Sequence, residues 1–129
     1  MTNCISPSGK HDSWTWFDAE TCEGVRFRVA RVSVARRIEL ARRIREIGRK
    51  VEILVAGQDP REKLEAAVLA AEIDRVYLEW GLEEIAGLTI DGEPATPEAL
   101  IEKGPMDLAR EILVRIKREC GLSEDERKN

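Results

Sequence analysis

The chain has 129 residues, 43% of them hydrophobic and 36% charged, a composition that fits one folded domain with one core rather than a disordered or membrane protein. No apolar run approaches the roughly 18 residues that cross a bilayer, and the polar N-terminus has no secretory signal, so we expect a cytoplasmic protein with no membrane contact. The three cysteines have no CxxC spacing, which favours reduced thiols.

Charge is distributed unevenly along the chain, whose net charge is −4. Residues 1–54 hold 11 Lys/Arg and 7 Asp/Glu, whereas residues 55–129 hold 10 and 18, so the halves carry +4 and −8. Such a dipolar chain can attract its own kind head to tail or present a basic face to an acidic partner, and we expect self-association. The competing interpretation is that the halves fold against each other and their charges mostly cancel.

The first predicted element is a β-hairpin over about residues 13–32, preceded by a polar, flexible arm at 1–12. Apolar residues alternate with polar ones along both halves of this segment, which is the pattern of half-buried strands. The alternating residues are Trp14, Trp16, Val25, Phe27 and Val29. A hairpin is unstable alone, so helices must cover its apolar face.

A first helix is predicted over about residues 33–55, with Ser33 as its N-cap. Apolar residues recur every three or four positions and form one stripe, and basic residues fill much of the remaining surface. The stripe consists of Val34, Ile38, Ala41, Ile44, Ile47, Val51 and Leu54. We expect the pairs Glu39 with Arg43 and Glu46 with Lys50 to support the helix.

A second helix is predicted over about residues 59–86. Asp59 is a suitable N-cap, Pro60 fits the first helical position, and Glu62 completes a capping box. Its apolar positions cover more than one stripe, which predicts a central helix with neighbours on two sides. Gly81 can kink or end the helix, although Leu82 and the residues after it can prolong it by a turn.

The remaining chain predicts a loop and two shorter helices. Residues 88–90 suit a short extended piece, and Asp91-Gly92 favours a tight turn. Helices follow at about 96–103 and 105–120, and residues 122–129 form a charged tail. The expected fold is therefore one domain over residues 13–121, of the α+β class and mainly α-helical, with an N-terminal β-hairpin packed on about four helices.

Residues with catalytic or metal-binding potential are few. His11 is the only histidine and lies in the predicted arm, which argues against a histidine base, triad or metal cluster. The sequence contains no phosphate-binding glycine motif, and the acidic residues near Asp91 lack the spacing of a calcium loop. We therefore expect no enzyme activity, no cofactor and no metal.

The arginine-rich first helix has three open interpretations: a solvated face, a protein-binding surface and a nucleic-acid-binding surface. Phosphate recognition would use these cations, but glutamates interrupt them and the helix has no aromatic residue to stack on bases. We consider nucleic acid an improbable partner and choose Arg36 and Arg43 as candidate contacts with a protein. A small regulatory or DNA-binding protein remains the alternative function.

A second candidate contact lies around the end of the second helix. Trp80 is followed within a few residues by Leu82, Ile85 and Leu88. If these side chains are not fully covered by the fold, they form an anchor for a partner.

The C-terminal half resembles a known family. Residues 76–82 (VYLEWGL) precede residues 90–100 (IDGEPATPEAL), then Gly104-Pro105, a helix, and residues 121–129 (GLSEDERKN). This order resembles the tail assembly chaperones of tailed phages and prophages, and the resemblance covers about residues 25–129.

The resemblance implies a role in the host bacterial cytoplasm. Members of the family bind the long helical tape-measure protein, keep it soluble, and are displaced as tail-tube protein polymerises. Many are made in two forms, because a ribosomal frameshift adds a domain that recruits the tail-tube protein. Residues 127–129 can be encoded with the slippery heptamer A-AAA-AAC, so we expect frameshifting there, which the gene's codon for Lys128 tests.

Overall fold

Four helices and two small antiparallel sheets make up residues 12–120, the part of the chain that the computed structural model describes. In chain order the elements are β1 (Trp14–Asp18), β2 (Arg26–Ala30), α1 (Val34–Val55), α2 (Pro60–Gly81), β3 (Leu82–Ala86), β4 (Thr89–Ile90), β5 (Glu93–Pro94), α3 (Pro97–Lys103) and α4 (Met106–Cys120). The predicted α+β class, mainly helical with an N-terminal hairpin, is confirmed. The predicted arm, apart from Asp12, and the predicted tail at 122–129 lie outside the described residues.

The N-terminal hairpin forms as predicted and gains a third strand. β1 pairs with β2 in antiparallel register, and β2 pairs with β3, so the sheet order is β1-β2-β3. The prediction that the second helix continues to residue 86 is wrong, because the backbone becomes extended at Leu82. Pairing Ile85 with Phe27 gives the sheet the additional strand that a hairpin needs and buries both side chains.

Helices α1 and α2 form a long antiparallel pair whose starts were predicted correctly. The Ser33 hydroxyl accepts a hydrogen bond from the Arg36 N–H at 3.2 Å, and the Asp59 carboxylate accepts one from the Arg61 N–H at 2.9 Å. Each helix has 22 residues and is therefore about 33 Å long.

Only part of the predicted apolar stripe on α1 is covered. Ile44 and Ile47 pack against the core, but Val34 is 80% and Ile38 49% exposed, and Ala41 is exposed as well. The fully buried residue of α1 is Leu40, which the predicted stripe did not include. The stripe prediction is wrong at the three exposed positions and at Leu40. The reason is that α1 packs against a single helix, which covers only a narrow side of it.

The remaining helices close the core over the C-terminal half of α2. Thr96 caps α3 by accepting a hydrogen bond from the Ala99 N–H at 3.1 Å. Residues 88–90 form the expected extended piece, which is part of a small hairpin turning at Asp91 and Gly92 with φ angles of 51° and 81°. The fully buried side chains at the centre are Phe27, Leu40, Leu100, Leu108, Ile112 and Ile116.

The loop between β1 and β2 is fastened to α4 through one carboxylate. Glu111 accepts hydrogen bonds from the Glu20 N–H at 2.7 Å, the Thr21 N–H at 3.0 Å and the Thr21 hydroxyl at 2.7 Å. Burial acts to raise the pKa of Glu111, but the hydrogen bonds from Thr21 and Glu20 outweigh it, so the pKa lies below its ordinary value. The ionised carboxylate therefore holds the loop in place.

Candidate partner-binding surface

The hydrophobic anchor expected after α2 is not available on the surface. Trp80, Leu82 and Ile85 are exposed by only 7%, 5% and 7%, and Leu88 packs half-buried against the core. The condition for an anchor, incomplete burial of the group, is therefore not met at Trp80, Leu82 and Ile85, because β3 turns Leu82 and Ile85 toward the helices. These side chains contribute to folding, and a partner cannot reach them in this conformation.

The two arginines chosen as contacts have different surroundings. The Arg36 guanidinium lies 4.6 Å from the Trp80 ring centroid and donates a hydrogen bond to the Trp80 carbonyl at 2.8 Å. It thereby satisfies a carbonyl at the end of α2, where no further helical turn supplies a donor. Arg43 is exposed on the surface of α1, so only Arg43 remains accessible as predicted.

The surface that sequence reasoning missed is the second face of α2. At its C-terminal half, α2 lies between α1 on one side and α3 and α4 on the other, as the two-stripe pattern predicted. In its N-terminal half, the side turned away from α1 is covered by no helix of residues 12–120. Leu64 is 69% and Val68 50% exposed there, and Ala67 and Ala71 are exposed beside them. We call these four residues the open face of α2.

The open face continues into a groove of about 550 Å³ between α2, α3 and α4. Val68 and Ala71 belong to both, and Met106, 66% exposed, stands at the start of α4 beside them. Further apolar residues lining the groove are Leu78, Leu100, Ile101, Ala109 and Leu113. The charged residues around it are Glu72, Asp74, Arg75, Glu102, Lys103 and Arg110. An apolar floor with a mixed charged rim suits an amphipathic helix.

Arg75 links α2 to α3 at the edge of the groove. Arg75 on α2 forms ion pairs with Glu79 at 3.1 Å and with Glu102 of α3. Hydrogen bonds from its guanidinium to Glu79 and then to Glu102 raise the pKa of Arg75, so it remains charged. The link keeps α3 against α2 and so maintains one wall of the groove.

The sequence indicates this surface only in part. The apolar positions of α2 cover two sides, but the pattern does not state how far along the helix each side is covered. The relevant neighbour, α4, begins 25 positions after α2 ends and reaches only the second half of α2.

Within residues 12–120, no three His, Cys, Asp or Glu side chains are grouped to hold a metal ion. Nor does any helix there have the length and apolar content of a membrane span. Cys120 is buried and its thiol donates a hydrogen bond to the Lys117 carbonyl at 3.5 Å, and Cys22 is half-buried. His11 lies outside the described residues.

Comparison with known proteins adds no family. No family model matches the sequence, and no curated protein or solved structure matches it significantly.

Proposed function

We propose that this protein is a tail assembly chaperone, which binds the tape-measure protein in the host bacterial cytoplasm and keeps it soluble during phage or prophage tail morphogenesis. The observation that carries the proposal is the open face of α2 with its adjoining groove. The motif order in residues 76–129 supplies the identity of the partner, and the groove supplies a surface of suitable chemistry.

The dimensions of the surface suit one helix of a partner. Leu64 and Leu78 lie on one side of α2, 14 residues apart, so the strip between them is about 21 Å long, or about four helical turns. Small side chains at Ala67 and Ala71 let a second helix approach closely. Val68 and Met106 provide larger apolar contacts in the middle of the strip. A tape-measure protein offers such amphipathic helices repeatedly along its length.

Weak binding at each groove is sufficient for this role. A long partner with many similar helices is retained by several chaperone molecules together, although each contact is modest. Modest contacts also release easily when tail-tube protein replaces the chaperone. Nothing in such a role needs bond-making chemistry.

The proposal is tested by co-expression with the cognate tape-measure protein. Wild-type protein is expected to keep the tape measure in the soluble fraction, and Val68→Glu with Met106→Glu is expected to lose this ability. Both side chains are at least half exposed, so charge at these positions leaves the fold intact. Val114→Glu is the matched control, because Val114 is 56% exposed on α4 but lines a different depression beside Phe17.

The two possible failures have different meanings. If the wild type leaves the tape measure insoluble, the proposed function is wrong. If the Val68→Glu, Met106→Glu protein is folded by circular dichroism and solubilises the tape measure as well as the control does, the function stands and the groove is the wrong surface.

A further inference from the structure

Five cations in the middle and C-terminal part of α1 form a surface without ion pairs in the described chain. α1 has seven basic and three acidic residues, a net charge of +4. Within residues 12–120, no carboxylate lies within 4.0 Å of the side-chain nitrogens of five of these basic residues: Arg42, Arg43, Arg45, Arg49 and Lys50. The predicted pairs of Glu39 with Arg43 and Glu46 with Lys50 are therefore not formed.

A surface of opposite charge lies on the segment from β3 to α3. Residues 82–103 hold six acidic residues and one basic residue, a net charge of −5. Four glutamates, at 79, 83, 98 and 102, line one depression of about 660 Å³, where Arg75 is the only basic lining residue. Since Arg75 pairs with Glu79 and Glu102, the depression keeps Glu83 and Glu98 as exposed carboxylates without an ion pair in the described chain. We call it the acidic depression.

No ion pair joins the two surfaces within the described part of one molecule, although Arg43 and Lys50 line a depression together with Glu72 and Glu79 of α2. Each ion pair described above joins other parts of the chain, and none joins α1 to residues 82–103. One interpretation of the charge distribution is that the oppositely charged halves neutralise each other. Direct ion pairing between these two surfaces does not do so. Both charges remain available to a second molecule.

We propose that α1 of one copy binds the acidic depression of a second copy. A two-fold contact of α1 with α1 would oppose like charges, whereas α1 against the depression pairs arginines with glutamates. Such a contact uses different surfaces on the two copies, so one copy keeps its acidic depression free and the other keeps its α1 free, and the association extends head to tail. The inference does not depend on the tape measure, because it concerns copies of this chain alone.

A second copy fits α1 better than nucleic acid does. Glutamates at 39, 46 and 52 are spaced along α1, and each would repel a continuous phosphate backbone. α1 also has no aromatic side chain on which a base could stack. Discrete carboxylates, such as Glu83 and Glu98, can instead pair with individual arginines and avoid the glutamates.

Sedimentation velocity of the full chain tests the contact over a range of protein and salt concentrations. At low ionic strength, near 0.02 M, where the screening length is about 20 Å, the mean mass of the wild type is expected to rise with protein concentration, and high salt is expected to reverse the rise. Arg42→Glu with Arg49→Glu, and separately Glu83→Lys with Glu98→Lys, should each weaken association by at least about tenfold. Arg61→Glu with Lys63→Glu is the control, because it moves the net charge from −4 to −8 as the Arg42, Arg49 change does but leaves both surfaces intact.

Mixing the two defective variants gives the sharpest result. The arginine variant keeps its acidic depression and the glutamate variant keeps its α1, so a 1:1 mixture is expected to form a two-chain complex and no longer chains. The proposal is overturned by a wild type that stays monomeric up to about 1 mM at low salt. It is equally overturned if both variants associate like the control, or if their mixture forms no complex. A wild type that is monomeric but shifts duplex DNA, with the shift lost in the arginine variant, would assign α1 to nucleic acid.

Discussion

The two halves of α2 share an apolar pattern on the side turned away from α1 but have different neighbours. Leu78, in the C-terminal half, is 7% exposed under α3 and α4, whereas Leu64, on the same side in the N-terminal half, is 69% exposed. One helix thus serves as a core element at one end and as an open surface at the other. An amphipathic pattern therefore shows on which sides of a helix apolar contacts can form. The topology of the chain decides whether another element of the fold or a partner makes those contacts.

The largest expected effect is the difference between these two leucines. Leu78→Ala leaves a cavity under α3 and should lower the free energy of unfolding by about 2–5 kcal/mol. Leu64→Ala removes a side chain that is mostly in water, so its effect should stay within about 0.5 kcal/mol. Urea denaturation of both variants checks this. Similar losses at the two positions would mean that the open face of α2 is covered.

A smaller effect is expected at the covered end of α2, where Arg36 contacts Trp80. Arg36→Ala removes the hydrogen bond to the Trp80 carbonyl and the stacking on its ring, and should cost about 1–2 kcal/mol. Arg43→Ala, an exposed arginine of the same helix, is the matched control and should change stability by less than about 0.5 kcal/mol. Equal thermal midpoints for the two variants would show that the Arg36 contact contributes nothing to the covered end.

The loop contact on α4 predicts a pH dependence of similar or smaller size. Glu111→Gln should cost about 1 kcal/mol at neutral pH, because one amide group cannot accept all three hydrogen bonds. Since the pKa of Glu111 is lowered in the folded chain, its stabilising contribution is complete above the ordinary value of 4.5 and is lost as pH falls through the folded pKa.

The measurement is the stability difference between wild type and Glu111→Gln as a function of pH. The difference is expected to be constant at neutral pH and to shrink below about pH 4.5. A difference that persists unchanged at pH 3, with both proteins still folded, would contradict the assignment of the contact to the ionised carboxylate.

The smallest expected effect has the opposite sign and concerns a glycine of α1. Gly48 is inside α1, and a Cβ added there would meet no atom within 4 Å. Gly48→Ala should therefore stabilise the monomer by about 0.5–1 kcal/mol, because alanine loses less backbone entropy in a helix. Gly87→Ala is the contrasting control, since its Cβ would lie 2.2 Å from the Gly24 carbonyl oxygen. Destabilisation by Gly48→Ala would indicate a close neighbour that the described chain does not supply.

Local chemistry explains which features sequence reasoning predicted correctly. Ser33, Asp59 and Thr96 begin helices because their side chains accept hydrogen bonds from nearby backbone N–H groups. Asp91 and Gly92 turn the chain because both tolerate positive φ. Each of these features depends on residues within three positions of one another, which the sequence displays directly.

Residues whose structure depends on distant partners were predicted less well. Leu82 and Ile85 follow a helix and share its apolar spacing, but pairing with β2, more than 50 residues earlier, makes them a strand. Their burial removed the surface that the sequence suggested for a partner. The open face of α2 replaced it, since it became identifiable only when the positions of α3 and α4 were known.

The sequence by itself determined the number of helices, their capped starts, the tight turn and the uneven charge, because these follow from short-range hydrogen bonding, periodicity and composition. Only the tertiary structure decided that β3 completes the sheet, that Arg36 stacks on Trp80, and that half of α2 stays open. The physical reason is that burial and strand pairing are properties of distant segments brought together, and an amphipathic pattern alone does not specify which segment covers which face.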